Sequence, residues 1–121
     1  MERLNPVLVV DDDPGVVHST VLVLEALGVP AVGLSDVQSV LSLMRETRPV
    51  AVLHDFQMPG IAWEAHIAAI RADPAVGRTP IIMCSGALGA REAAARLGLD
   101  GFLEKPFSVD ALLHEVSLRP L

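Results

Sequence analysis

Short apolar runs alternate with longer segments of helical periodicity along most of the chain. The segments between the runs repeat apolar residues every three or four positions, as at Val17, Val21 and Leu24, and this spacing predicts amphipathic helices. The apolar runs have the length of strands and span residues 7–10, 30–34, 50–54, 80–84 and 101–104. Because near-continuous apolar strands between helices favour a parallel sheet covered on both faces, the sequence predicts an α/β fold. This fold is a (βα)5 doubly wound, five-stranded parallel sheet.

Capping residues and prolines predict where the first two helices begin and end. Asp13 is expected to be the N-cap of the first helix, with Pro14 at its first position. Gly28 is expected to close that helix. Ser35 is expected to cap the second helix, because Gln38 follows three residues later as a capping-box partner.

The later helices are predicted from the same signals. The third spans about 61–72 and the fourth 88–97, closed by Gly98. Ser108 is expected to cap the fifth helix. Its predicted inner face consists of Val109, Leu112, Leu113 and Val116.

Four of the predicted strands end in polar residues. These residues are Asp11–Asp13, Asp55, Ser85 and Lys105. Because the carboxyl ends of parallel strands form the ligand-binding edge of such sheets, these side chains are expected to share one crevice. Two carboxylates ~4 Å apart repel by roughly 4 kcal/mol at an effective dielectric constant of 20, so the cluster requires a cation. The pattern predicts a divalent metal beside a phosphorylatable aspartate.

Composition and charge narrow the function classes. The 121 residues predict one domain over the whole chain, with a core at about 7–118. A net charge of -6 and an aromatic share of 3% argue against direct nucleic-acid binding. The sequence lacks a signal peptide and a membrane-length apolar run, so a cytoplasmic protein is expected. The single cysteine, Cys84, is expected to be a small buried hydrophobe.

Four motifs in the predicted order give the chain a family resemblance. The motifs are Val9-Val10-Asp11-Asp12-Asp13-Pro14, Asp55-Phe56-Gln57-Met58-Pro59-Gly60, Ser85-Gly86-Ala87 and Phe102-Leu103-Glu104-Lys105-Pro106-Phe107. With them the chain resembles the receiver domain of bacterial two-component response regulators. The resemblance implies a flavodoxin-like receiver fold that is a phosphoacceptor rather than an enzyme. Such a domain assists its own phosphotransfer and dephosphorylation.

The resemblance implies a metal and phosphoryl site. Asp55 would accept a phosphoryl group from a sensor histidine kinase or a phosphotransfer protein. Mg²⁺ (or Mn²⁺) would be held by Asp12 and Asp55 directly, by Asp11 largely through water, and by the backbone carbonyl of Gln57.

Three further residues would complete a switch in this resemblance. Lys105 would pair with Asp55 and then with the phosphoryl oxygens. The Ser85 hydroxyl would hydrogen-bond the attached phosphoryl group. Phe102 would change rotamer as Ser85 moves, although an aromatic residue at a strand is also compatible with simple core packing.

Two other residues near the site have more ordinary interpretations. His54 should point to the sheet face opposite Asp55 because strand side chains alternate, so a packed or partly exposed histidine is expected. Trp63 departs from the family pattern at the start of the third helix. It is either a packing residue, or one that narrows access to the site or contacts a partner.

The output of the switch is the least determined part of the function. No effector domain lies within the chain. The family usually signals to a partner or effector domain through the fourth helix, fifth strand and fifth helix. This face could also form a homodimer. Its candidate exposed contacts are Arg91, Arg96 and Glu104.

Two other functions compete with the phosphorylation switch. One is a receiver-like protein-protein interaction module that is never phosphorylated, which the complete set of site residues argues against. The other is a phosphatase of the haloacid dehalogenase type, since Asp11 and Asp13 mimic its nucleophile and acid. That chemistry needs a second acidic pair after its lysine, whereas only Asp110 and Glu115 follow Lys105.

Overall fold

The computed structural model describes residues 5–117 and contains five strands and five helices in alternation. The strands are Val7–Val10 (β1), Ala31–Leu34 (β2), Ala51–Asp55 (β3), Ile81–Ser85 (β4) and Gly101–Glu104 (β5). The helices are Pro14–Ala26 (α1), Val40–Thr47 (α2), Trp63–Arg71 (α3), Ala90–Arg96 (α4) and Val109–Ser117 (α5). A single 3-10 turn, Val37–Ser39, precedes α2. Leu118, the predicted end of the core, lies outside the described residues.

All five strands are parallel and lie in the order β2-β1-β3-β4-β5. The order reverses between β1 and β3, which makes their carboxyl ends the switch point at which such sheets bind ligands. Every residue of β1, β3 and β4 is buried, as expected for a parallel sheet covered on both faces. The predicted α/β class and (βα)5 architecture are confirmed.

Alternate residues of each strand feed two separate cores. Val7 and Val9 face the core that also contains Leu24 of α1 and Leu112 of α5. Leu8 and Val10 face a core with α2 and α3, which supply Val40, Met44, Ile67 and Ile70. Because β-strand side chains alternate between faces, a carboxylate at a strand end has its face set by the register of these apolar residues.

The ends of α1 lie where the sequence predicts. The Asp13 carboxylate accepts a hydrogen bond from the Gly15 N–H, and Pro14 is the first helical residue. Gly28 follows the helix with a φ of 83°, which a residue without a Cβ adopts freely. Ser108 also acts as predicted, since its hydroxyl accepts the Ala111 N–H at the start of α5.

The predicted start of the second helix is wrong. Asp36, not Ser35, is the cap, because its carboxylate accepts the Gln38 N–H and the Ser39 hydroxyl. An ionised carboxylate accepts both bonds at once, which a neutral serine hydroxyl does less well. The chain then makes the 3-10 turn before the α-helix begins at Val40.

Three smaller predictions also need correction. The third helix begins at Trp63 rather than Ile61, and the fourth at Ala90 rather than Leu88. Val109, predicted on the inner face of α5, is 47% exposed, whereas Leu112 and Val116 are buried. None of the helices within residues 5–117 combines the length and the hydropathy of a membrane-spanning segment.

Candidate functional site

The polar residues predicted at the strand ends meet at one edge of the sheet. Asp55 is the last residue of β3, and Ser85 is the last residue of β4. Asp11 follows β1 and Lys105 follows β5. Since the four strands are parallel, the same end of each lies at this edge, and the crevice expected from the sequence is present.

Three carboxylates form an acidic cluster there. One carboxylate oxygen from each of Asp11, Asp12 and Asp55 lies within 4.8 Å of the others. Asp11 is 5% and Asp55 3% exposed, so water screens their charges poorly. The pKa of the exposed Asp12 carboxyl is raised by desolvation first, and then by the charge of Asp55. The cluster therefore favours a bound cation.

Local hydrogen bonds fix the directions of these carboxylates. Asp11 Oδ1 accepts the Asp13 N–H at 3.0 Å, and Asp55 Oδ1 accepts the Gln57 N–H at 3.0 Å. Asp13 is not a member of the cluster, since its own carboxylate caps α1. A haloacid dehalogenase-type site, in which Asp13 would be the acid, has no support in this arrangement.

Lys105 lies between two of the acidic side chains. Its Nζ is 2.9 Å from Asp11 Oδ2 and 3.1 Å from Asp55 Oδ1. Desolvation alone would lower the pKa of the ammonium, but its hydrogen bonds to Asp11 and Asp55 outweigh desolvation and raise it. The peptide bond from Lys105 to Pro106 is cis. Lys105 is therefore charged at neutral pH and already directed at the predicted phosphoacceptor.

Ser85 is buried beside the acidic cluster on the next strand. Its hydroxyl oxygen accepts the Ala87 N–H at 3.1 Å, and its carbonyl accepts the Lys105 N–H at 3.0 Å. The following N–H, of Gly86, donates to Gln57 Oε1 at 2.9 Å. The Gln57 side chain thus links the loop after β3 to the loop after β4, which sequence reasoning did not anticipate.

Cys84, the neighbour of Ser85, is a buried structural residue. Burial raises the pKa of its thiol to about 12, so the thiolate required for redox or nucleophilic chemistry does not form at neutral pH. Its interpretation as a small hydrophobe agrees with its place in the core beside Leu103.

The other predicted switch and surface residues are not members of the acidic cluster. Phe102 is half-buried in β5, and the Arg91 guanidinium lies 4.6 Å from its ring centroid. Such a cation–π contact is worth about 0.5–1 kcal/mol at an exposed site. Arg91, Arg96 and Glu104 are all exposed. Arg91 lies over β5, whereas Arg96 lines a groove together with Trp63.

A group of aromatic and imidazole rings behind Asp55 was missed by sequence reasoning. His54 is fully buried, and its ring lies within 5.4 Å, centroid to centroid, of the rings of Phe56, Trp63 and His66. Trp63 also stacks on Phe56 at 4.0 Å. We call these four residues the ring cluster. Two histidines twelve positions apart were the available signal, but only the packing of α3 on the sheet brings them together.

The hydrogen bonds of His54 define its tautomer. Its Nδ1 lies 2.9 Å from the backbone oxygen of Asp55, and since a carbonyl only accepts, Nδ1 carries the hydrogen. Its Nε2 lies 3.0 Å from His66 Nε2, so in a neutral ring it accepts from His66. Burial, the largest influence, lowers the pKa of His54 to about 4, which keeps the ring neutral at pH 7.

An open groove of about 830 Å³ borders the site between α3 and α4. Trp63 and Phe56 line it on one side, and Ser85, Ala87 and Leu88 on another. Trp63 therefore combines both sequence interpretations, since it packs on Phe56 and also borders the approach to Ser85.

Known proteins are similar to this chain in sequence. Residues 7–117 match the family described as "Response regulator receiver domain". The DNA-binding response regulator MtrA of Mycolicibacterium smegmatis is 32% identical over 115 residues, which cover 93% of this chain and 49% of that protein. The chain thus spans about half the length of such curated relatives.

Solved structures share the fold. The chemotaxis protein CheY4 of Vibrio cholerae has a TM-score of 0.84 at 23% identity, with 96% of this chain and 98% of that chain covered. The receiver domain of a Pseudomonas aeruginosa sensor histidine kinase, which has a magnesium ion coordinated in its active-site cleft, has a TM-score of 0.82 at 24% identity. That match covers 96% of this chain and 97% of that one. The chain belongs to the response regulator receiver domain family of two-component signalling.

Proposed function

We propose that the chain is a phosphorylation-dependent switch in which Asp55 accepts a phosphoryl group in a Mg²⁺-dependent reaction. The donor is a phosphohistidine of a sensor histidine kinase or of a phosphotransfer protein. The observation that carries the proposal is the position of the Lys105 ammonium between the Asp11 and Asp55 carboxylates. Such a charge is required where phosphoryl oxygens develop negative charge.

The acidic cluster has the donor set of a hard divalent cation. Asp11, Asp12 and Asp55 offer only oxygen ligands, which Mg²⁺ and Mn²⁺ prefer. The Gln57 carbonyl is the fourth proposed ligand. A magnesium ion is also coordinated in the active-site cleft of the P. aeruginosa receiver domain, which supports the choice of metal. When bound there, the metal would supply positive charge that offsets the negative charge of the carboxylates and of the incoming phosphoryl group.

Asp55, Lys105 and Ser85 have separate roles in the proposed phosphoryl transfer. An Asp55 carboxylate oxygen attacks the phosphorus, and the new P–O bond forms as the P–N bond of the donor breaks. The departing imidazole keeps the electron pair of that bond. Lys105 moves its hydrogen bond from the Asp55 carboxylate to a phosphoryl oxygen, and the Ser85 hydroxyl leaves the Ala87 N–H to donate to another.

We further propose that the signal leaves through the face made by α4, β5 and α5. Phe102, in β5 next to β4, would respond to the movement of Ser85, and its contact with Arg91 would carry the change to the surface. A downstream protein or effector domain is the proposed partner, with a homodimer through the same face as a second use. MtrA is a DNA-binding regulator, but this chain corresponds to only about half of MtrA. The negative net charge of this chain does not favour DNA binding.

The test is incubation with Mg²⁺ and a small acyl phosphate, followed by measurement of the intact mass. One phosphoryl group should be added to the wild type and none to Asp55→Asn, while the control Asp100→Asn, at the opposite end of β5, behaves as the wild type. Absence of uptake, both from this donor and from a cognate kinase, would contradict the proposal. Unchanged partner affinity in Asp55→Asn would instead favour the interaction module.

A further inference from the structure

The ring cluster holds together the two ends of the loop that connects β3 to α3. His54 is in β3 and Phe56 follows it, whereas Trp63 and His66 are in the first turns of α3. The His54–His66 hydrogen bond and the Phe56–Trp63 stack therefore join the two ends of residues 56–62. That loop contains Gln57, the proposed carbonyl ligand of the metal.

The backbone of Asp55 has less sheet support on one side than the rest of β3. The register of β1 with β3 ends at the pair Val10–His54, so Asp55 extends past its neighbour on that side. On the other side it is still paired with Cys84. The His54 Nδ1–H reaches the carbonyl of Asp55 at 2.9 Å, at the position where the β1 register has ended.

We propose that His54 is a positioning residue for the metal and phosphoacceptor site. Its Nδ1–H holds the carbonyl of Asp55 and thereby orients the Asp55–Phe56 peptide and the following Gln57 carbonyl. Its Nε2 accepts from His66, which ties this peptide to α3. The inference rests on the proposed function, since it concerns the ligands of the same metal.

A purely structural role for His54 has a different consequence. A buried ring that only fills space can be replaced by leucine without effect on the Gln57 carbonyl, three residues further on. A ring whose N–H orients the Asp55 carbonyl cannot be replaced by leucine without loss of Mg²⁺ affinity. Asparagine, whose side-chain amide can donate in place of Nδ1–H, should restore that affinity. For His66, glutamine offers the equivalent donor at the end of a longer side chain.

The experiment compares the Mg²⁺ affinities of His54→Leu, His54→Asn, His66→Leu and His66→Gln by titration calorimetry. Each leucine variant should bind Mg²⁺ about fivefold more weakly, the factor that corresponds to one ordinary hydrogen bond. The asparagine and glutamine variants should recover most of the loss. The matched control is His114→Leu, on the exposed side of α5, which should bind as the wild type.

One further measurement, together with the Mg²⁺ titration of the wild type, keeps the outcomes distinct. In the wild type, imidazole nitrogen NMR should show hydrogen on Nδ1 of His54 and on Nε2 of His66. Wild-type Mg²⁺ binding together with unchanged affinity in both leucine variants overturns the positioning role alone. Failure of the wild type to bind Mg²⁺ overturns the proposed function as well. If His54→Leu does not fold, the His66 pair decides, since equal affinity in His66→Leu and His66→Gln overturns the link to α3.

Discussion

Lys105 is the only lysine of the sequence, and its ammonium contacts two carboxylates that would otherwise face each other. Neutralising that ammonium leaves Asp11 and Asp55 buried without their common partner, which is costly for both charges. In the free protein Lys105 therefore substitutes for part of the charge that a metal would supply. In the proposed reaction it becomes a ligand of the phosphoryl group.

Lys105→Met, which keeps most of the length of the side chain but removes the charge, should separate these two roles. We expect Mg²⁺ to bind at least as tightly as to the wild type, because a competing cation is gone. Phosphoryl uptake from an acyl phosphate should slow by about tenfold or more, because the variant lacks a charged hydrogen bond worth roughly 1.5–3 kcal/mol. The initial rate of phosphoryl uptake is measured by following the intact mass of the protein over time.

The control for Lys105→Met is Arg78→Met, which removes one exposed positive charge before β4, at the opposite end of the strand from Ser85. It should leave both the rate and the Mg²⁺ affinity unchanged. Equal rates in Lys105→Met and in the wild type would remove Lys105 from the mechanism.

His54 predicts a pH dependence of folding stability in the presence of a chelator. Its pKa is about 4 in the folded protein, against 6.5 in the unfolded chain. Between about pH 6.5 and pH 4, His54 is therefore protonated in the unfolded state but not in the folded state. The free energy of unfolding should fall as the pH decreases from about 6.5 to about 4, by about 3 kcal/mol in total from this group.

Urea unfolding of the wild type and His54→Leu at several pH values tests this. Between pH 7 and 4 the variant should lose less stability than the wild type, and the two curves should run parallel above pH 7. Parallel curves over the whole range would show that His54 takes up its proton equally in both states.

At the scale of the elements, strand ends and helix starts were predictable to different degrees. The apolar runs predicted all five strands, because burial on both faces leaves little choice of side chain. The start of the second helix depended on whether Ser35 or Asp36 accepts the free N–H groups, and the sequence allows both. The starts of α3 and α4 depended on the loops of the site, where Gln57 holds Gly86 and Gly89 has a φ of 79°.

Asp13 is expected to have a structural role as the cap of α1, unlike the neighbouring aspartates proposed as metal ligands. Asp13→Ala removes the cap of α1 and should lower the free energy of unfolding by about 1 kcal/mol, while the Mg²⁺ affinity remains that of the wild type. Denaturant unfolding and calorimetry measure the two effects. Asp13→Asn keeps an acceptor and should retain most of the stability. A loss of Mg²⁺ affinity as large as in Asp12→Ala would instead make Asp13 a ligand.

At the scale of the whole molecule, the sequence predicted which polar residues meet at the sheet edge, but not the side chains that pack around them. Parallel strands bring their ends to one edge, so Asp11, Asp55, Ser85 and Lys105 could be placed together from the pattern alone. The His54–His66 bond and the contact of Arg91 with Phe102 could not be predicted. Both depend on how a helix lies on the sheet, which side-chain packing decides.

The proposed route from the site to the surface can be tested on Ser85. With Mg²⁺ and beryllium fluoride as a phosphoryl analogue, amide NMR signals should shift near Asp55 and along α4 and β5. In Ser85→Ala the shifts near Asp55 should remain, but those in α4 and at Phe102 should be largely lost. Ser19→Ala, on the exposed side of α1, is the control. Equal shifts in α4 for both variants would exclude Ser85 as the relay.

The most direct measurement of the central claim identifies which residue carries the phosphoryl group. After incubation with Mg²⁺ and an acyl phosphate, borohydride reduces an aspartyl phosphate to homoserine, and peptide mass spectrometry locates the altered position. We predict homoserine at position 55 alone, and none when Mg²⁺ is chelated. Homoserine at position 11 or 12, or its absence from a protein that binds Mg²⁺, would contradict the assignment of Asp55 as the phosphoacceptor.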